Sequence, residues 1–182
     1  MDLLEALSEL EGADELHEGR LLLLLAAFSQ EGDADGIAGL TKLAKLDFLL
    51  RYPVLLERAL TAKGRSTRAV ELQEYEKASV ESRMVRYRFG PWDHRYRRFL
   101  NLLSAKDLIR IETDSRPVQI ALTDRGKEVA ARLVQDDAFK DVARRAAALK
   151  THFDVQGTHL MRFIYNTFPE IVSLKSNEAI DI

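Results

Sequence analysis

Leucine spacing organises the start of the chain. Leu3, Leu4, Leu7 and Leu10 recur at helical intervals, and "EGAD" interrupts them. A second helix is predicted from Glu15 to Gln30. Its run "LLLLLAAF" (21–28) is too continuous for one amphipathic face and should be buried on most sides. "EGDADG" reads as a loop. From Ile37 the apolar positions Ile37, Leu40, Leu43, Ala44 and Leu50 return to a period of about 3.6 residues. Pro53 can open a further helix, because the first-turn N–H it lacks has no intrahelical acceptor. Val54, Leu55, Leu56 and Leu60 follow it. "TAKGRSTRA" (61–69) is small, polar and basic, and reads as an exposed loop. Another helix is expected around 70–80.

The pattern then changes. "RMVRYRF" alternates in part, which predicts a short strand with Met84 and the aromatics facing in and Arg86 and Arg88 facing out. "GP" breaks it. Asp93 is placed to cap a helix at 93–106 through its side-chain oxygen, and Tyr96, Phe99, Leu100 and Leu103 share one face of that helix. "LIRIET" and "VQIALT" are alternating strands joined through "DSRP", a hairpin. "TDRGKEVAARLV" begins a helix capped by Thr123 or Asp124, with Leu122, Val129, Ala130 and Leu133 turned to the core. Amphipathic helices near 139–151 and 157–166 and a short turn at Phe168–Pro169 come next, and "KSNEAIDI" is expected to fray.

A helix followed at once by a hairpin and another helix is the order of a winged helix. The expected fold is mostly α with a small β-hairpin, a winged helix-turn-helix with inserted and C-terminal helices. Its expected divisions are an acidic N-terminal interaction arm (1–14), the winged-helix domain (15–137) and a C-terminal helical extension (138–182).

Composition narrows the class. Hydrophobic residues make up 46% of the 182, ordinary for a globular protein, and none is cysteine. Disulfides, thiolate metal sites and cysteine nucleophiles are therefore excluded. No run approaches the roughly 18 apolar residues of a membrane helix. The first residues lack the basic region of a secretory signal, so a cytoplasmic protein is expected. Net charge is −2, but residues 1–40 carry ten acidic groups and one basic (Arg20), for −9, and residues 41–182 carry 26 basic and 19 acidic, for +7. An acidic arm beside a basic body points to a protein partner at one end and a polyanion at the other, or simply to a solvated acidic helix.

The stretch "RMVRYRFGPWDHRYRR" (83–98) holds six arginines, two tyrosines, a phenylalanine and the only tryptophan. In a winged helix the helix at 93–106 takes the recognition position. Arg95, Arg97 and Arg98 lie off its apolar face. Arg83, Arg86 and Arg88 come from the strand before it, and Arg110 from the hairpin after. Against double-stranded DNA each would displace counterions from phosphate or pair with a guanine edge. The same residues suit an acidic patch on a partner protein. They also suit ion pairs with the chain's own acidic N-terminal region, their stems covering apolar surface. Gly90, Pro91, Trp92 and Asp93 read as a structural motif in which Gly and Pro turn the chain, Trp92 packs and Asp93 caps.

Catalysis is not expected. His17, His94, His152 and His159 lack metal-ligand spacing. No nucleophile elbow, Walker loop or dinucleotide fingerprint occurs, so no metal or cofactor is expected either. The leucine stripe Leu3, Leu4, Leu7 and Leu10 must fold onto its own core, pair with its twin in a homodimer, or dock on a partner helix. Phe163, Ile164, Phe168 and Ile171 pose the same choice.

The segments "LTKLAKLDFLLRYP", "RYRFGPWD", the "L…KDLIRI" junction and "LTDRG", spread over roughly residues 20–135, resemble one known group. It is the small middle components of bacterial three-component ABC-ATPase systems, which include the small subunit of Lamassu-type antiphage defence complexes. "GPWD" is the most specific of these features, and residues after about 138 contribute nothing. The resemblance implies a non-enzymatic adaptor beside a large SMC-like ATPase subunit and an effector, often a nuclease, with a role in antiviral defence and contact with DNA. It carries over no catalytic residues. The alternatives are a free-standing dimeric winged-helix transcription factor and a purely structural dimeric module. The acidic balance argues against the former, since isolated DNA-binding domains are usually basic.

Overall fold

The computed structural model describes residues 14–29, 35–74, 76, 84–87 and 90–180. The leucine stripe (Leu3, Leu4, Leu7, Leu10), Arg83 and Arg88 lie outside the described residues. The elements are α1 (Asp14–Ala27), β1 (Ile37–Ala38), α2 (Leu40–Arg51), α3 (Pro53–Ala62), β2 (Val85–Tyr87), β3 (Gly90–Trp92), α4 (Tyr96–Ala105), β4 (Ile109–Glu112), β5 (Gln119–Leu122), α5 (Asp124–Leu133), α6 (Lys140–Phe153), α7 (Gly157–Thr167) and α8 (Pro169–Ser173). The architecture is mostly helical with two small antiparallel sheets.

The leucine run behaves as its continuity requires. Leu21, Leu22, Leu23, Leu24 and Leu25 are all buried, because α1 is covered by α4, α5 and α6 on different sides. Burying each such side chain is worth about 1.5–3 kcal/mol. Phe48 on α2 meets Tyr52 and Phe168 edge-on, with centroids 5.7 and 5.8 Å apart. Phe153, Leu160, Ile164, Phe168 and Ile171 join this same core. The C-terminal apolar cluster is thereby closed within the chain, with Phe163 half-buried against Phe153.

The first sheet runs β1-β5-β4. Ile37 and Ile111 both register with Ile120, and Ile109 with Leu122. Ile37 therefore belongs to a strand, and the helix expected from that position begins only at Leu40: pairing with β5 overrides the helical period there.

The second sheet departs further from expectation. "GPW" is not a break after a strand but a strand itself, β3, paired with β2 so that Val85 faces Trp92 and Tyr87 faces Gly90. Pro91 is tolerated because this ribbon is short and Pro91 sits at its edge. As far as Ile180, the last described residue, the C-terminal tail does not fray. Arg86 N–H donates to Glu178 O (2.9 Å), Asn177 N–H to Arg86 O (2.7 Å) and Ile180 N–H to Met84 O (2.9 Å). Ile180 is buried. β2 thus has partners on both sides, and the tail removes an exposed edge.

Candidate partner-binding site at the Gly90–Asp93 element

Helix α2 carries two kinds of buried charge. Asp47 is fully buried. Arg20 Nε, from α1, donates to its Oδ1 at 2.6 Å, and Tyr96 Oη, from α4, donates to Oδ2 at 2.7 Å. Arg51, one turn on, reaches Oδ2 at 3.3 Å and donates its other terminal nitrogen to Asp93 at 2.9 Å. Arg95 grips Asp93 with Nε at 3.1 Å and Nη2 at 2.8 Å. Arg20 also donates to His17 Nδ1 at 2.9 Å, and the His17 ring stacks on Phe99 at 5.1 Å. One polar network therefore ties α1, α2, β3 and α4 together.

Electrostatics follow from that geometry. Burial pushes the Asp47 pKa upward, but the Arg20 and Arg51 charges and the Arg20 and Tyr96 hydrogen bonds outweigh it, so the carboxyl stays below its ordinary range. Asp93 is likewise held low, burial being overcome by Arg95 and Arg51. The Tyr96 hydroxyl is pushed well above its usual value by burial and by Asp47.

Asp93 does more than cap. Its Oδ1 accepts the Arg95 N–H at 2.9 Å, but α4 starts at Tyr96 and Arg95 takes the capping position. Trp92 is half-buried and meets Tyr96 edge-on at 5.4 Å. Gly90 has φ +119°, a conformation side chains rarely adopt, and it lies against Lys45 of α2 and Tyr165 of α7.

The arginines do not form one free edge. Arg86 donates to the Leu174 carbonyl at 2.6 Å. Arg98 pairs with Asp14. Arg110 pairs with Asp35 at 3.0 Å and Glu112 at 3.1 Å, and nearby Lys106 pairs with Glu18 at 2.6 Å. Intramolecular pairing with Asp14, Glu18 and Asp35 of the acidic N-terminal region thus takes up part of the charge division along the chain. Arg97 is exposed and has no ion pair among the described residues.

Arg97 and His94 line a cleft of about 300 Å³, walled by Gly90, Pro91 and Trp92 and reaching inward to Thr41 and Lys45. Lys45 was missed from sequence. It is 2% exposed, its Nζ donates to Thr41 O at 3.1 Å, and burial lowers its pKa to about 8. The available signal was a lysine set among the apolar residues of "LTKLAKLDFLL". Among the described residues no cluster of His, Asp and Glu could hold a metal ion, and no helix is long and apolar enough to cross a membrane.

Fold and cleft together describe a small α-rich protein with two short antiparallel sheets and a basic, tryptophan-walled recess. The chain belongs to the ABC-three component (ABC-3C) system Middle Component 4 family, which it matches over residues 32–161. It is a middle component of an ABC-3C system, so its partners are other components of that system. No curated protein and no solved structure matches it. The family match extends past the segments that suggested it. Helix α6 and the first turn of α7, which the sequence resemblance left out, belong to it.

Proposed function

We propose that this chain is a non-enzymatic winged-helix adaptor of a bacterial antiphage defence complex, bridging an SMC-like ABC ATPase and an effector, a nuclease. The family match carries this reading. The winged-helix assignment is supported by topology: α4 feeds directly into the β4–β5 hairpin, and β1, which follows α1, joins that hairpin on the β5 side. In this reading α3 and the β2–β3 ribbon are an insertion between α2 and the recognition-position helix α4.

The disposition of charge favours an adaptor over a free-standing transcription factor. Arg95, Arg98 and Arg110 are engaged by acids of the same chain. Among the described arginines of that set Arg97 is exposed and without an ion pair, so DNA contact would draw on it and on whatever the assembled complex adds. The N-terminal stripe Leu3, Leu4, Leu7 and Leu10 supplies a partner-helix interface in the same scheme.

Co-expression pull-down of this chain with the products of adjacent genes tests the reading, with a duplex of about 40 base pairs, roughly four helical turns, in parallel. Capture of a coiled-coil ATPase together with weak DNA binding by the isolated chain is the expected result. Tight, sequence-dependent duplex binding with no protein partner would make the chain a transcription factor instead.

A further inference from the structure

A lysine ammonium is compact and strongly hydrated, and burying it without a counter-charge is unfavourable. The chain shows how it treats a buried charge that serves the fold: Asp47 and Arg51, on the same helix as Lys45, are enclosed in salt bridges. Lys45 is treated differently. It is equally buried, yet its one hydrogen bond among the described residues is to the Thr41 carbonyl on its own helix. No carboxylate pairs with it there. Two of its three N–H donors are left for something else.

The cleft supplies the place. Pro91 and Trp92 make an apolar wall, Lys45 lies at the inner end, exposed Arg97 adds a second cation, and among the described residues no acid lines the recess. A second groove of about 660 Å³ shares Thr41 and Lys45 with it and is lined further along by Pro117, Val155 and Met161 and by Asp154, whose carboxylate is paired with Lys42 and Lys150. A chain passing Trp92 thus has a course to continue along.

We propose that the Lys45 cleft is a receptor for a carboxylate carried on an apolar or aromatic anchor of a partner polypeptide, another component of the same three-component system. The identity of the partner rests on the adaptor reading, whereas the chemistry of the cleft does not. Charge complementarity selects the occupant. Among the described residues the recess presents buried Lys45 and exposed Arg97, a match for a single carboxylate seated against an aromatic wall. A duplex backbone is a poorer match, because it presents a convex row of phosphates to exposed cations, whereas Lys45 is buried at the inner end of the recess.

Trp92 is the only tryptophan, so its fluorescence reports on the cleft directly. The first measurement titrates the full chain with N-acetylphenylalanine, with its uncharged amide and with thymidine 5′-monophosphate. The expected result is a saturable change in emission with the carboxylate, at least about tenfold weaker binding of the amide and the nucleotide, and loss of the response in Lys45→Met. No saturable response, an undiminished response in Lys45→Met, or a preference for the nucleotide overturns the proposal. The second measurement is capture of the co-expressed system components by the full chain. Capture that drops at least about tenfold in both Lys45→Met and the surface variant Arg97→Glu supports the cleft. Undiminished capture in both variants sinks the cleft proposal and leaves the adaptor reading standing. If the unmodified chain captures nothing, the adaptor reading fails, and the fluorescence titration alone decides the cleft. Thermal unfolding of both variants shows that the fold is retained.

Discussion

Asp47 keeps its charge in the core only because Arg20, Arg51 and Tyr96 surround it. Breaking such a group leaves an uncompensated buried charge, so Asp47→Asn is expected to lower stability by about 3–5 kcal/mol. Tyr96→Phe, which removes one hydrogen bond to a charged acceptor, should lower it by about 1.5–3 kcal/mol. Urea unfolding of each variant measures both. Asp47 and Asp93 titrate below their unfolded value near ~4. Their contribution is therefore present above about pH 4 and is lost as pH falls through the folded-state values. Lys45 has the opposite sign. Its folded pKa of about 8 lies below the unfolded value of ~10.4, so the buried charge destabilises the chain below pH 8, and stability climbs as pH rises from about 8 to ~10.4. Lys45→Met should stabilise the chain at neutral pH by about 1–3 kcal/mol and flatten that climb, as thermal unfolding across pH would show.

At the scale of elements, the "LTDRG" start of α5 is a two-part device. Thr123 Oγ1 accepts the Gly126 N–H at 3.0 Å and donates to the Asp107 carbonyl at 2.6 Å. Gly126 then passes so close to β4 that an added Cβ would meet the Leu108 carbonyl oxygen at 1.9 Å. Backbone must move to admit it, so Gly126→Ala is expected to lower stability by about 3 kcal/mol and Thr123→Ala by about 1 kcal/mol, both read by urea denaturation. The C-terminal tail, which bridges β2 at Val85, is the second such element. Ile180→Asp places a charge at a buried position and should weaken the tail's pairing with β2. Amide hydrogen exchange would show early loss of protection at Arg86 and Ile180, and an unchanged pattern there would contradict this assignment.

For the whole molecule, the acidic N-terminal region and the basic body meet through Asp14–Arg98, Glu18–Lys106 and Asp35–Arg110. Each basic partner is at least half exposed or nearly so, and such pairs are worth about 0–1 kcal/mol apiece and are screened by salt. Raising sodium chloride to about 1 M is expected to lower stability by less than about 2 kcal/mol. A larger loss would mean that these contacts, rather than the shared apolar core, hold α1 in place. The charge division that looked like a feature directed outward is thus in part an internal joint. The cleft between β3 and α2 presents Arg97, which is exposed and has no ion pair among the described residues, beside buried Lys45.

Much of this was written along the chain. The helices at "LLLLLAAF", after Pro53, after Thr123 and in the C-terminal region follow from apolar periodicity and local capping, which act between residues a few positions apart. The "GPWD" element was legible as a motif for the same reason. Its partners were not: Asp93 meets Arg51, Gly90 meets Lys45, and Val85 bridges Ala179 across the ribbon. These are long-range contacts, and no local rule selects among the acids, lysines and strands that could have made them. Sequence determined most of the helical segments, where charge accumulates and which family the chain resembles, but not the strand at Ile37 or the non-helical backbone at 70–73. Tertiary structure alone decided which arginines are neutralised and that a lone lysine is buried beneath a tryptophan wall, because pairing and desolvation depend on what packing brings together in space.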